Sequence, residues 1–149
     1  MQIQEIMTHS VVTAPPESPV QAIATLMRDR NVGSVVLVDG SGRPVGMVTD
    51  RDLTIDALAD AADPATPASR CATTPVVTGE ADMDLDEAAG LMVSHRIRRL
   101  PVMEENTLVG IVTLDDIAVR TGNLEVAQQM TADVARAALP EFYFHQRGG

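Results

Sequence analysis

Two short stretches of the chain set a hydroxyl and a carboxylate at the same spacing: Gly46-Met47-Val48-Thr49-Asp50-Arg51-Asp52 and Gly110-Ile111-Val112-Thr113-Leu114-Asp115-Asp116. If a strand ends at the Thr and a helix starts there, Thr49 and Thr113 occupy N-cap positions. Asp52 and Asp116, three residues on, then lie in the first helical turn beside them. A carboxylate so placed can accept two hydroxyl hydrogen bonds, which is how proteins hold the 2′,3′-diol of a ribose. Free N–H groups at the same helix start favour an anion nearby. Thr with Asp at the third helical position is also a capping box, which is purely structural. A single copy fits the structural reading better; two copies in register shift the balance towards function.

A second cluster, His95-Arg96-Ile97-Arg98-Arg99, concentrates three of the eleven basic side chains of an otherwise acidic protein. Guanidinium groups grip phosphate oxygens bidentately, although surface Arg residues also pair with nearby carboxylates. The first stretch carries Gly33-Ser34 where the second has Arg98-Arg99, so two sites built on these motifs are not equivalent. No catalytic set emerges. His9, His95 and His145 are scattered without metal-ligand spacing, and Cys71 has no nearby base. There is no Gly-x-x-x-x-Gly-Lys loop, no Gly-x-Gly-x-x-Gly after a strand and no Gly-x-Ser-x-Gly elbow. The expectation is a protein that is not an enzyme, holds no metal and requires no cofactor.

The elements that position these residues come from an internal repeat. Val12-Thr13 recurs as Val77-Thr78, and Val20, Met27 and Val32 recur as Leu85, Met92 and Ile97, an offset of 65 (12 to 77). Gly46 to Leu53 recurs as Gly110 to Ile117 at an offset of 64 (46 to 110), one residue being lost in a hairpin turn. Each copy opens with a short extended segment, Val11 to Thr13 or Val76 to Thr78. A helix follows, with Ser18 as N-cap and Pro19 first in copy one, and with Asp84 and Glu87 as a capping box in copy two. Apolar residues at Val20, Ile23, Ala24 and Met27, and at Leu85, Ala88, Ala89, Met92 and Val93, mark one buried face.

Two strands come next in each copy: Ser34 to Val38 with Val45 to Thr49, and Leu100 to Met103 with Leu108 to Thr113. They turn at Asp39-Gly40-Ser41-Gly42 and Glu104-Glu105-Asn106. A second helix starts after each Thr. The predicted class is α+β: tandem pseudo-symmetric β-α-β-β-α repeats packed through their sheets, one copy being too small to close a core alone. Residues 1–65 form repeat 1, 66–122 repeat 2, and 123–149 a C-terminal helix with an aromatic tail. That tail, Phe142-Tyr143-Phe144, holds every aromatic residue, and either packs on its own domain or makes a dimer contact.

Composition narrows the partners. A net charge of −10 argues against a nucleic-acid groove or an anionic membrane surface. Apolar runs such as Val35-Val36-Leu37-Val38 fall far short of the roughly 20 residues of a membrane span. No secretory signal opens the chain, and the single Cys fits a reducing, cytoplasmic setting.

The pattern resembles the CBS-domain pair, named for cystathionine β-synthase, over residues 1 to about 122. Met7-Thr8 with Val12-Thr13-Ala14-Pro15, Arg98-Arg99-Leu100-Pro101-Val102 and both Gly-x-Val-Thr-x-x-Asp motifs carry the resemblance. It implies a stand-alone regulatory module that binds AMP, ADP, ATP or S-adenosylmethionine in clefts between two repeats. It also implies a homodimer, and a target protein that the sequence does not name. By that likeness Asp52 and Asp116 bind ribose with Thr49 and Thr113 beside them, Thr13 and Thr78 edge the base pocket, and Arg98 and Arg99 contact phosphate, with Leu100 and Pro101 in the same stretch. Arg99 is then expected to reach the cleft of Asp52, and triphosphate binding at the Asp116 cleft is in doubt because copy one has Gly33-Ser34. The alternative is a scaffold that binds no nucleotide and whose Thr and Asp are only caps.

Overall fold

The computed structural model describes residues 1–121; the expected C-terminal helix and aromatic tail at 123–149 lie outside them. The order is β1 (Thr13–Ala14), α1 (Val20–Arg30), β2 (Ser34–Val38), β3 (Pro44–Thr49) and α2 (Asp50–Asp52), then β4 (Gly79–Glu80), α3 (Leu85–Ser94), β5 (Arg99–Glu104), β6 (Thr107–Thr113) and α4 (Leu114–Thr121). Two three-stranded sheets result, ordered β1-β2-β3 and β4-β5-β6. This is the α+β fold of two β-α-β-β-α repeats. The second helices differ: α4 is regular, whereas α2 runs directly into a π-helical stretch, Leu53–Leu58.

The chain forms two compact units whose membership crosses the repeat boundaries. Residues 10–76 with Glu104–Leu108 make the first-repeat unit, and, among the described residues, 1–9 group with Val77–Met103 and 109–121 in the second-repeat unit. A short segment ahead of each repeat, here called a strap, therefore belongs to the unit of the other repeat. Strap 1 contains a 3-10 turn at Ile3–Glu5 and strap 2 one at Ala68–Arg70, again offset by 65 (3 to 68).

Straps explain why two expected helix caps are not formed. Helix α1 begins at Val20 with Pro19, not Ser18, as N-cap, and no side chain caps it. The Val20 and Gln21 N–H groups donate instead to the carbonyls of Thr66 (2.9 Å) and Pro64 (3.2 Å). Asp84 is the N-cap of α3, but its side chain makes no cap bond and the box with Glu87 is absent; Leu85 N–H donates to Met1 O at 3.0 Å. Backbone carbonyls from the straps thus satisfy donors that a side chain would otherwise serve. Both helices end alike, with Val32 N–H reaching Met27 O and Ile97 N–H reaching Met92 O around a left-handed residue, Asn31 or Arg96.

Each unit closes a core with a strap from ahead of the other repeat, strap and helix both covering the sheet, so no copy does it with its own residues alone. In the second-repeat unit Ile3, Ile6, Ala88, Met92, Leu100, Val102, Val112, Leu114 and Ile117 form one buried cluster. In the first, Ala14, Ile23, Met27, Val35, Leu37, Val48 and Ala68 do so. Burial of each large aliphatic side chain contributes about 1.5–3 kcal/mol. Ala24 faces solvent, and Leu26 takes its place against the core.

The opening strands are Thr13–Ala14 and Gly79–Glu80 rather than Val11 to Thr13 and Val76 to Thr78. Both run parallel to the next strand, Thr13 opposite Val36 and Gly79 opposite Val102. In repeat one Val36 N–H also donates to Val12 O. Its counterpart in repeat two is Pro101 (36 + 65), which has no N–H, so the second ladder starts one residue later. Among the described residues no helix is long and apolar enough to cross a membrane.

Candidate functional site

The helix starts at Thr49 and Thr113 are superposable in chemistry. Asp52 N–H donates to Thr49 Oγ1 (3.1 Å) while Thr49 N–H donates to Asp52 Oδ2 (2.8 Å). In repeat two the same pair measures 3.0 Å and 2.9 Å between Asp116 and Thr113. The capping box expected from the spacing is therefore formed twice. It claims one carboxylate oxygen of each Asp; the other, Oδ1, accepts no hydrogen bond among the described residues and keeps both lone pairs. All four side chains are half-buried at the strand-to-helix turn, where a ligand hydroxyl can reach them.

The preceding hairpin strand completes each turn. Asp50 N–H donates to Gly33 O (3.0 Å) and Leu114 N–H to Arg98 O (3.2 Å), which ties the first helical residue to the start of β2 or β5. That tie brings the Arg98 guanidinium to α4, where it lies 3.8 Å from Asp115 Oδ1. Arg98 therefore sits with Thr113 and Asp116 in one unit, and Gly33 brings no charge to Thr49 and Asp52. The first turn instead carries Asp50, exposed, where the second has Leu114, 1% exposed. The two turns are unequal in charge, as the sequence implied.

The remaining candidates are more dispersed. Arg99 is half-buried at the start of β5. Thr13 is exposed on β1, with β2 between it and β3; Thr78 is half-buried just ahead of β4. Leu100 and Pro101 have essentially no exposed surface, and Leu100 is part of the core.

Sequence reasoning missed the straps beside these turns. Thr73 forms a bridge with Met47, two residues before Thr49, and Thr8 forms one with Ile111, two residues before Thr113. Strap 2 also carries Cys71, 4% exposed, whose thiol is pushed up from its ordinary pKa by burial and then by the charges of Asp56, Asp52 and Asp60. The available signal was the offset of 65 continued backwards, from Ile3-Gln4-Glu5 to Ala68-Ser69-Arg70. It is faint because no residue type is kept in the turn and only Thr8, as Thr73, recurs in the rest of the strap. Among the described residues no group of three or more His, Cys, Asp or Glu is placed to hold a metal.

A duplicated α+β unit with a Thr-and-Asp box at each second helix start defines a tandem-repeat class, in which the strap opens each repeat. The CBS domain family matches this chain twice, over residues 3–55 and 68–120, both beginning at a strap turn. The chain belongs to that family. The CBS domain-containing protein YhcV of Bacillus subtilis is 38% identical over 133 residues, 89% of this chain and 94% of its own length. The crystal structure of Hypoxic Response Protein I with two coordinated zinc ions is 34% identical with a TM-score of 0.73, covering 80% of this chain and 98% of that one. A curated relative named Hypoxic response protein 1 comes from Mycobacterium tuberculosis. A CBS domain protein from Pyrobaculum aerophilum complexed with AMP is 29% identical with a TM-score of 0.76, covering 86% and 99%.

Proposed function

We propose that this chain is a regulatory, non-catalytic module that binds an adenine nucleotide through its two Thr-and-Asp turns. The observation that carries this reading is the unclaimed Oδ1 of Asp52 and of Asp116, each half-buried and held still by its own capping box. A fixed carboxylate oxygen with two free lone pairs suits a vicinal diol. The AMP complex of a relative with the same fold supports the ligand class. Thr13 and Thr78 edge the base, and Arg98 and Arg99 attract phosphate. Bound nucleotide acts by favouring one arrangement of the protein over another, which a target protein reads. A homodimer is part of the same proposal.

The competing scaffold reading draws on the same boxes, because the carboxylates already have a structural task. Calorimetric titration with AMP, ADP, ATP and S-adenosylmethionine separates the two. Heat of binding to the intact chain, with one site lost in Asp52→Ala and one in Asp116→Ala, is the expected result. Cap loss alone lowers stability by roughly 1 kcal/mol and leaves binding intact. No heat with any of the four ligands at millimolar concentration would sink the nucleotide reading, and unchanged affinity in Arg98→Ala, Arg99→Ala would sink the phosphate role.

A further inference from the structure

We propose that the two straps interlock the repeats, so that loosening a strap on one unit is transmitted to the parallel strand pair of the other. Each strap is docked at three equivalent points. Its first carbonyl receives the leading N–H of a helix, Met1 O from Leu85 and Thr66 O from Val20. Its 3-10 turn puts a side chain without exposed surface into a core, Ile3 or Ala68. Its end forms a two-bond bridge on an outer strand: Thr8 and Ile111 exchange N–H donors at 2.9 Å each way, Thr73 and Met47 at 2.9 and 3.3 Å.

The chain then leaves for the other unit through a short connection. From Thr8 it enters β1 at Thr13, and from Thr73 it enters β4 at Gly79. At about 3.3–3.6 Å per extended residue, five or six residues span only ~20 Å. The strands they feed are two residues long, each held to one neighbour, and such short pairings open readily. A displaced strap end therefore moves the entry to a weak ladder elsewhere in the chain. The bridges sit two residues before the capping Thr, so a turn and its strap share a strand. The interlock needs no ligand; where nucleotide occupies a turn, it supplies a route out of that repeat.

Two glycines give access to the device. Each outer strand has Gly where the strap crosses. A Cβ at Gly46 would lie 3.0 Å from Ala72 Cβ, and a Cβ at Gly110 would lie 2.5 Å from Met7 Sδ and 2.9 Å from Thr8 O. Gly46→Ala in the whole chain, without ligand, should press strap 2 off β3. Thiol labelling of Cys71, the single cysteine, should accelerate roughly tenfold through local opening. Amide exchange at Ala81, which donates to Met103 O in the other unit, should accelerate with it, while the α3 amides of Ala88 and Met92 stay at the wild-type rate.

The reciprocal variant Gly110→Ala should accelerate exchange of Val36, whose N–H is held by Val12 O. Should it fail to fold, Ile6→Ala loosens the same strap. Faster Cys71 labelling with Ala81 unchanged would overturn the proposal, as would a uniform rise that includes Ala88 and Met92. Neither outcome bears on whether nucleotide binds.

Discussion

The two units share most backbone links of their straps yet fill the space beneath them with different volumes. In the second-repeat unit the strap inserts Ile3, and the strand below it offers Gly79, where a Cβ would lie 3.2 Å from Ile3 Cδ1 and 2.8 Å from Leu100 Cδ2. In the first-repeat unit the corresponding positions (offset 65) are Ala68 and Ala14, both buried. One unit pairs a large residue with none, and the other has a small residue at each of the two positions, both in one buried cluster. The repeat therefore preserves most of the strap's hydrogen bonds but neither residue identity nor volume, Ile with Gly bringing four side-chain carbons where Ala with Ala brings two, so each core packs around its own strap.

The largest effect expected from breaking this comparison is at Ile3. Ile3→Ala leaves a void that Gly79 cannot fill, and should cost about 2–5 kcal/mol in urea unfolding. Ala68→Gly removes one methyl and should cost about 1 kcal/mol. Similar losses for the two would show that strap 1 contributes no more burial than strap 2, and the difference in volume would have no weight in the stability of either core.

How much could be seen beforehand follows the same division. The β-α-β-β-α order and both Thr-and-Asp turns were legible, because they rest on local rules: period, turn residues and cap spacing. The turn at Thr113 could be placed to the residue because its box closes over three positions. The straps were not legible. Their partners lie beyond the reach of local rules, 84 (85 − 1) and 103 (111 − 8) residues away for strap 1 and 46 (66 − 20) and 26 (73 − 47) for strap 2, and the equivalent core side chains, Ile3 and Ala68 or Ile6 and Cys71, differ in kind. The two wrong caps have the same origin. Ser18 and Asp84 obey the local rule for a helix start, but a carbonyl brought in from a strap serves the same donors.

A smaller difference separates the helix ends. Asn31 takes the left-handed conformation at the end of α1 (φ 54°) and Arg96 takes it at the end of α3 (φ 56°). Asn tolerates that region through its short polar side chain, while a long side chain is strained there. Arg96→Gly should therefore stabilise the protein by roughly 1 kcal/mol, and Asn31→Gly by a few tenths at most. Thermal unfolding of the two single variants decides it: equal shifts would mean that the second repeat carries no extra strain at this position.

The smallest contrast lies in the two hairpin turns, and pH reveals it. Glu105 and Asn106 turn β5 into β6 with both φ angles positive, a backbone solution with no side-chain bond. Asp39 turns β2 into β3 by accepting the N–H groups of Ser41 (2.8 Å) and Arg43 (3.0 Å) on Oδ1. Those bonds, from Arg43 first and then Ser41, hold its carboxyl below the usual carboxylate range; slight desolvation opposes them and the Arg43 charge adds to them. A folded-state pKa below the unfolded one gives stability that is fully present above the unfolded value of about 3.9 and is lost as pH falls through the folded value. The stability difference between wild type and Asp39→Ala should thus stay level from about pH 7 to 5 and shrink below about pH 3.9. A gap that widens on acidification would mean that the protonated side chain, not the carboxylate, is the better turn former.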